Sequence, residues 1–128
     1  MIHLFDLRVY YEDTDFGGIV YYANYLKFIE RARSEMVREM GIDQKAMKEE
    51  GIVFAVRKVD ANYLAPALYD DQLQVRTSFG DMSPARVVFE QQVWRGDKMI
   101  FTADVTIVCI DENGRPTRLP ASIRRNVH

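Results

Sequence analysis

Hydrophobic and polar positions alternate along most of this chain, with one long interruption. Phe5, Leu7, Val9 and Tyr11 alternate with Asp6, Arg8, Tyr10 and Glu12. A period of two predicts a strand with one buried face. From Ala23 to Met40 the period lengthens, and Tyr25, Ile29, Ala32, Met36 and Met40 recur at spacings of three and four. That is the apolar stripe of an amphipathic helix, with Arg31 and Glu35 as an (i, i+4) pair on its wet side. Gly41 is the expected stop. A shorter helix is expected from about Asp43 to Glu50, ending at Gly51.

Period two then returns. Val59, Ala61 and Tyr63 alternate with polar neighbours until Pro66 interrupts the ladder. Leu73, Val75, Thr77 and Phe79 mark another strand, and Val87, Phe89 and Val93 the next, after a turn at Ser83-Pro84. Arg95-Gly96-Asp97 reads as a hairpin turn. Met99, Phe101, Ala103, Val105, Ile107 and Cys109 form a long inward face, followed by a turn with a strong hairpin signal at Asn113-Gly114. One strand, one long helix and then four consecutive strands predict an α+β domain over 1–128, an antiparallel sheet of about five strands wrapped around one central helix. The edge strand of such a sheet offers unpaired backbone groups, which a second copy of the chain often covers.

Composition narrows the function classes. The chain has 128 residues, enough for one core, and its 48% hydrophobic and 28% charged content is that of a globular protein. A formal net charge of −2 disfavours nucleic-acid binding. The single cysteine, Cys109, excludes an internal disulfide and sits in an apolar run, as a buried strand residue would. His3 and His128 are the only histidines, so no Cys/His cluster has metal-ligand spacing and a Ser-His-Asp triad is disfavoured. The first residues lack the pattern of a signal peptide, and no apolar run is long enough to span a bilayer, so a cytoplasmic protein is expected.

The remaining chemistry concentrates between Glu12 and Arg33. Asp13 and Asp15 precede Gly17-Gly18, and the long helix follows. Glycines there permit a positive φ and close approach of a ligand to the backbone. A carboxylate in such a loop can act on water or attack an electrophile. The first amides of the helix, near Tyr22, Ala23 and Asn24, lack intrahelical acceptors and sit at the positive end of its dipole. They suit an oxyanion. From the residues alone, Asp13 and Asp15 read more readily as loop and capping residues than as catalytic ones.

The same stretch resembles a known signature. Tyr10-Tyr11-Glu12-Asp13-Thr14-Asp15, Gly17-Gly18-Ile19-Val20-Tyr21, Asn24-Tyr25-Leu26-Lys27-Phe28 and Glu30-Arg31-Ala32-Arg33 are similar to the hot-dog-fold acyl-CoA thioesterases. The resemblance is to the 4-hydroxybenzoyl-CoA thioesterase family and its YbgC-like branch. Tyr63-Leu64-Ala65-Pro66-Ala67, Tyr69-Asp70-Asp71 and Phe89-Glu90-Gln91 extend it over nearly the whole chain. It implies hydrolysis of an acyl-CoA thioester to a carboxylic acid and CoA, by a homodimer or homotetramer, without metal or organic cofactor. It implies Asp15 as general base or nucleophile and the Tyr22 backbone amide as oxyanion donor, with Asp13 orienting the loop. Gly17, Gly18 and Tyr25 become candidate substrate contacts. Many YbgC-like members have histidine where this chain has Tyr22, so a side-chain role and the branch's substrate preference do not transfer. The phosphates of CoA suit arginine, for which Arg86 is the candidate, with Arg118, Arg124 and Arg125 as weaker ones. Alternatives are an acyl-carrier-protein thioesterase and a non-catalytic acyl-binding module. A hot-dog dehydratase is disfavoured because no internal histidine is available.

Overall fold

The computed structural model describes residues 1–125, so His128 lies outside the described residues. Among these, five strands and three α-helices follow in the order β1 (His3–Arg8), α1 (Asn24–Glu39), α2 (Gln44–Glu49), β2 (Val53–Tyr63), β3 (Gln72–Ser83), β4 (Arg86–Arg95), β5 (Lys98–Ile110) and α3 (Ala121–Arg124). The strands form one antiparallel sheet in the order β1-β3-β4-β5-β2. Short turns join β3 to β4 and β4 to β5. In the second of these, Gly96 has φ +60°, a region that costs glycine little.

Helix α1 lies across the inner face of the sheet. Its stripe of Tyr25, Phe28, Ile29, Ala32, Met36 and Val37 is buried, mainly against β3, β1 and β4. Opposite it stand Val75, Phe89, Val93, Phe101 and Val105, all buried. Each such side chain contributes about 1.5–3 kcal/mol by leaving water. Phe28→Ala at the centre would lose about 3–5 kcal/mol. No described helix is long and apolar enough to cross a membrane.

Three local features differ from simple alternation. First, β1 ends at Arg8, and Tyr11 belongs to a 3-10 turn, Tyr11–Asp13, rather than to the inward face. The N–H of Tyr10 is captured by the carboxylate of Asp13 at 2.8 Å, which diverts the chain from the ladder. Second, Ile100 is an extra residue in β5: Trp94 pairs with Met99 and Val93 with Phe101. Ile100 is buried beside Phe101, and its carbonyl accepts the N–H groups of Leu64 and Ala65 at 2.9 and 3.1 Å. The bulge thereby holds the exit of β2 against the sheet. Third, Val59 and Tyr63 keep more than a third of their surface exposed. They lie on β2, the edge strand farthest from β1 in the sheet order.

Candidate active site

The segment from Thr14 to Val20 is a tight loop closed by a Thr14–Val20 bridge. The N–H of Asp15 donates to the carbonyl of Ile19 at 2.9 Å, and that of Gly18 to the carbonyl of Asp15 at 3.0 Å. Gly18 has φ +81°, so the turn needs glycine there. Gly17 meets a different constraint. Its N–H donates to Asp15 Oδ1 at 2.8 Å, and a Cβ on Gly17 would stand 3.2 Å from that same oxygen. Backbone contact thus fixes the carboxylate, while Oδ2 meets no donor among the described residues and Asp15 stays exposed. An exposed carboxylate with a free oxygen can take a proton from water.

Asp13 does the opposite work. It is only 6% exposed. Its Oδ2 accepts from Tyr10 N–H at 2.8 Å, and its Oδ1 accepts from the Asn24 amide at 2.9 Å. Its backbone carbonyl accepts the N–H of Tyr21 at 2.9 Å. A buried carboxylate with partners on both oxygens is a structural tie. It fastens the loop to Asn24, the first residue of α1.

At the helix entrance, the N–H groups of Tyr22 and Ala23 have no acceptor among the described residues. Both are nevertheless oriented. In a trans peptide the N–H points opposite the carbonyl. The Tyr21 carbonyl, in the same peptide as Tyr22 N–H, accepts from Asn24 N–H at 2.8 Å. The Tyr22 carbonyl, in the same peptide as Ala23 N–H, accepts from the Tyr63 hydroxyl at 2.8 Å. Two free donors at the positive end of a 16-residue helix form a ready anion site.

Asp15, Tyr22, Tyr25, Tyr63, Leu64 and Ala65 line one cleft of about 420 Å³. Tyr25 is its buried wall. Its ring stacks on Phe101 at 4.9 Å, and its hydroxyl accepts Ala67 N–H at 3.0 Å. Burial raises the Tyr25 phenol above the ordinary tyrosine range, with the Ala67 N–H opposing that rise. Burial also raises Tyr63, aided by Tyr22 and Tyr25. Both are therefore neutral hydroxyls near pH 7.

The structure brings Asp15, Tyr22 and Tyr25 to one cleft, and it places Gly17 and Gly18 as makers of the loop rather than as cleft wall. Arg86 does not join them within one chain. It pairs with Val108 of β5, whereas Tyr63 pairs with Phe101. Seven residues on one strand separate those positions, about 23 Å at ~3.3 Å per residue. Arg118, Arg124 and Arg125 follow β5 at that same far end, where Leu119 N–H donates to the Pro84 carbonyl at 2.8 Å. The roles of Asn24 and of the Tyr63 hydroxyl were not foreseen. Among the described residues, no three His, Cys, Asp or Glu side chains are grouped to hold a metal.

Comparison with known proteins identifies the family. The profile of the thioesterase-like superfamily matches residues 9–127. The acyl-CoA thioester hydrolase YbgC of Escherichia coli O6:H1 is 43% identical over 119 residues, covering 91% of this chain and 89% of that protein. The acyl-CoA thioesterase YbgC of Haemophilus influenzae is 38% identical over 126 residues, covering 97% and 93%. The crystal structure of a probable thioesterase from Bartonella henselae superposes with a TM-score of 0.89 at 41% identity, covering 94% of this chain and all of that one.

Proposed function

This chain belongs to the thioesterase-like superfamily, and on that premise we propose that it hydrolyses acyl-CoA thioesters through Asp15. The observation that carries the reading is the shared cleft of Asp15 and Tyr22, with the Tyr22 amide unengaged. Relatives named as acyl-CoA thioester hydrolases support the substrate class.

In this reading the thioester carbonyl lies between Asp15 and the helix entrance. Asp15 either takes a proton from the attacking water or attacks the carbonyl itself. The developing oxyanion is held by the Tyr22 N–H, with the helix dipole behind it. On the base route collapse breaks the C–S bond, releasing the carboxylic acid, and the proton taken from water passes to the CoA sulfur. On the nucleophile route collapse leaves an anhydride between the acyl group and Asp15 plus CoA thiolate. Water then cleaves the anhydride to the free acid, regenerating Asp15 and supplying the thiol proton. On the base route water is the only co-reactant, and no cofactor enters. The buried thiol of Cys109 is free and takes no part. A reducing, cytoplasmic setting suits it.

The same reading includes a homodimer. Strand β2 has a neighbour on one side only, β5, and it exposes Val56, Val59 and Tyr63. Antiparallel pairing of β2 with its symmetry copy would extend the sheet and keep both α1 helices on one face. It would also bring the Tyr63 end of one chain to the Val53 end of the other. Arg86, Arg118, Arg124 and Arg125 sit at the Val53 end, within reach of CoA phosphates at the partner's cleft.

Two measurements test this. Free thiol release from a panel of acyl-CoAs should show turnover, and sedimentation at micromolar concentration should show at least a dimer. A fully active monomer would overturn the shared site, and absence of turnover on every thioester would overturn the activity.

A further inference from the structure

A second cleft, of about 210 Å³, opens between the middle of α1 and the start of β2. Val37, Phe54, Phe89 and Ile107 make its apolar walls, and Glu30 and Arg33 are its charged groups. It shares no lining residue with the Asp15 cleft. Arg33 is unusual among the cations of this chain. It is only partly exposed, its desolvation disfavours the charge, and Glu30, which supports the charge electrostatically, lies beyond salt-bridge distance.

A neutral amide holds it instead. Arg33 donates to Gln91 Oε1 at 2.9 Å. Gln91 is 1% exposed, and its amide donates to the carbonyl of Ile29 at 2.9 Å and to Thr77 Oγ1 at 3.0 Å. Those two bonds fix which end of the Gln91 amide faces Arg33. A guanidinium carries five N–H donors in a rigid fork. Gln91 takes one, and no other acceptor for the rest is found among the described residues. A partly desolvated, pre-oriented fork without a carboxylate, at the wall of an apolar cleft, is built to meet an acceptor from outside the chain.

The volume limits what that acceptor belongs to. About 210 Å³ corresponds to seven water-sized volumes at ~30 Å³ each. This suits a group of a few heavy atoms. The cleft includes Phe54, at the Val53 end of β2, and opens on the helix side of the sheet. Antiparallel β2 pairing would set it beside the partner's Asp15 cleft. Resting on the thioesterase and dimer reading above, we infer that the Arg33 cleft receives the acyl end of the substrate held at the partner subunit's Asp15. There Arg33 selects short acyl groups that carry an oxygen acceptor over plain alkyl groups.

The test compares kcat/KM for butyryl-, acetoacetyl- and succinyl-CoA, which share a four-carbon acyl group but differ in oxygen acceptors. The wild-type chain should favour the two oxygen-bearing thioesters by about tenfold or more, the discrimination expected when a half-buried donor would otherwise lose its partner. Arg33→Met should bring all three within about threefold. Arg33→Lys, which keeps the charge but loses the planar, rigid fork of the guanidinium, should fall between. It decides the matter if the Met variant does not fold. Affinities of Asp15→Asn for the same thioesters, measured by calorimetry, read the preference without turnover. They separate a wrong acyl assignment from a wrong activity. Mixed dimers of Asp15→Asn and Arg33→Met should recover succinyl-CoA turnover, because one of the two shared sites is then intact. A wild-type chain without the preference, an Arg33→Lys variant with the full preference, or mixed dimers without recovery would overturn the inference.

Discussion

The hydroxyl of Tyr63 donates to the carbonyl of Tyr22 across 2.8 Å, joining the last residue of β2 to the peptide that opens the central helix. The edge strand thereby holds one of the two donor-bearing peptides in place. Tyr63→Phe removes only that bond. It should leave the fold intact within about 0.5–1.5 kcal/mol and lower kcat several-fold by loosening the helix entrance. Tyr22→Phe, which keeps the backbone, should stay within a few-fold of the parent. Tyr22→Pro deletes the N–H and should be far worse while still folded. Steady-state kinetics with circular dichroism would check the set. A Tyr22→Phe variant as inactive as Tyr22→Pro would transfer the chemistry to the phenol.

The two aspartates should separate stability from catalysis. Asp15→Asn removes an exposed charge and should cut turnover by about a hundredfold or more, the scale of losing a positioned base or nucleophile. Its melting temperature should hardly move. Asp13→Asn places a donor where Tyr10 N–H and the Asn24 amide both donate, leaving buried groups unpaired at about 1–3 kcal/mol. Its melting temperature should fall. Paired thermal melts and rate measurements decide, and equal loss of stability in both variants would contradict this division.

Gly17→Ala tests the loop itself. The added methyl stands 3.2 Å from Asp15 Oδ1, so either the carboxylate or the loop must shift. Misplacement of a catalytic group by a fraction of an ångström lowers rate more than stability. The expected result is a drop in kcat of about tenfold with a near-normal melting curve. Unchanged turnover would mean that the position of Oδ1 is immaterial.

Alkaline pH should destabilise the fold through neutral buried acids. Burial raises Cys109 and Tyr25 above their ordinary ranges. Each keeps its proton in the folded chain where the unfolded chain has lost it, so their contribution is complete at neutral pH. It is lost as pH rises from about 8.5 for the thiol and about 10 for the phenol. Urea midpoints should decline over that range, and Tyr25→Phe should flatten the decline above pH 10. A midpoint independent of pH up to 11 would refute the linkage.

Much of this protein is legible in the order of its residues. Period-two runs and one stripe of period 3.6 determine five strands and a central helix, because side-chain direction follows from backbone geometry alone. The Asp15, Gly17, Gly18 and Tyr22 segment is local, so its loop and helix entrance are also written in sequence. Thr77 and Gln91 were the available clue to Arg33: polar residues in phase with Val75 and Phe89, at core positions. What the sequence did not determine are relationships across long separations. Asp13 and Asp15 are the same side chain two positions apart. Only packing makes one a buried tie to Asn24 and leaves the other open to a cleft. Tyr63 reaches Tyr22, and Arg33 reaches Gln91, through contacts 41 and 58 residues apart. Hydrogen bonds of that kind depend on where the sheet places each strand against the helix, and that placement is a property of the whole core.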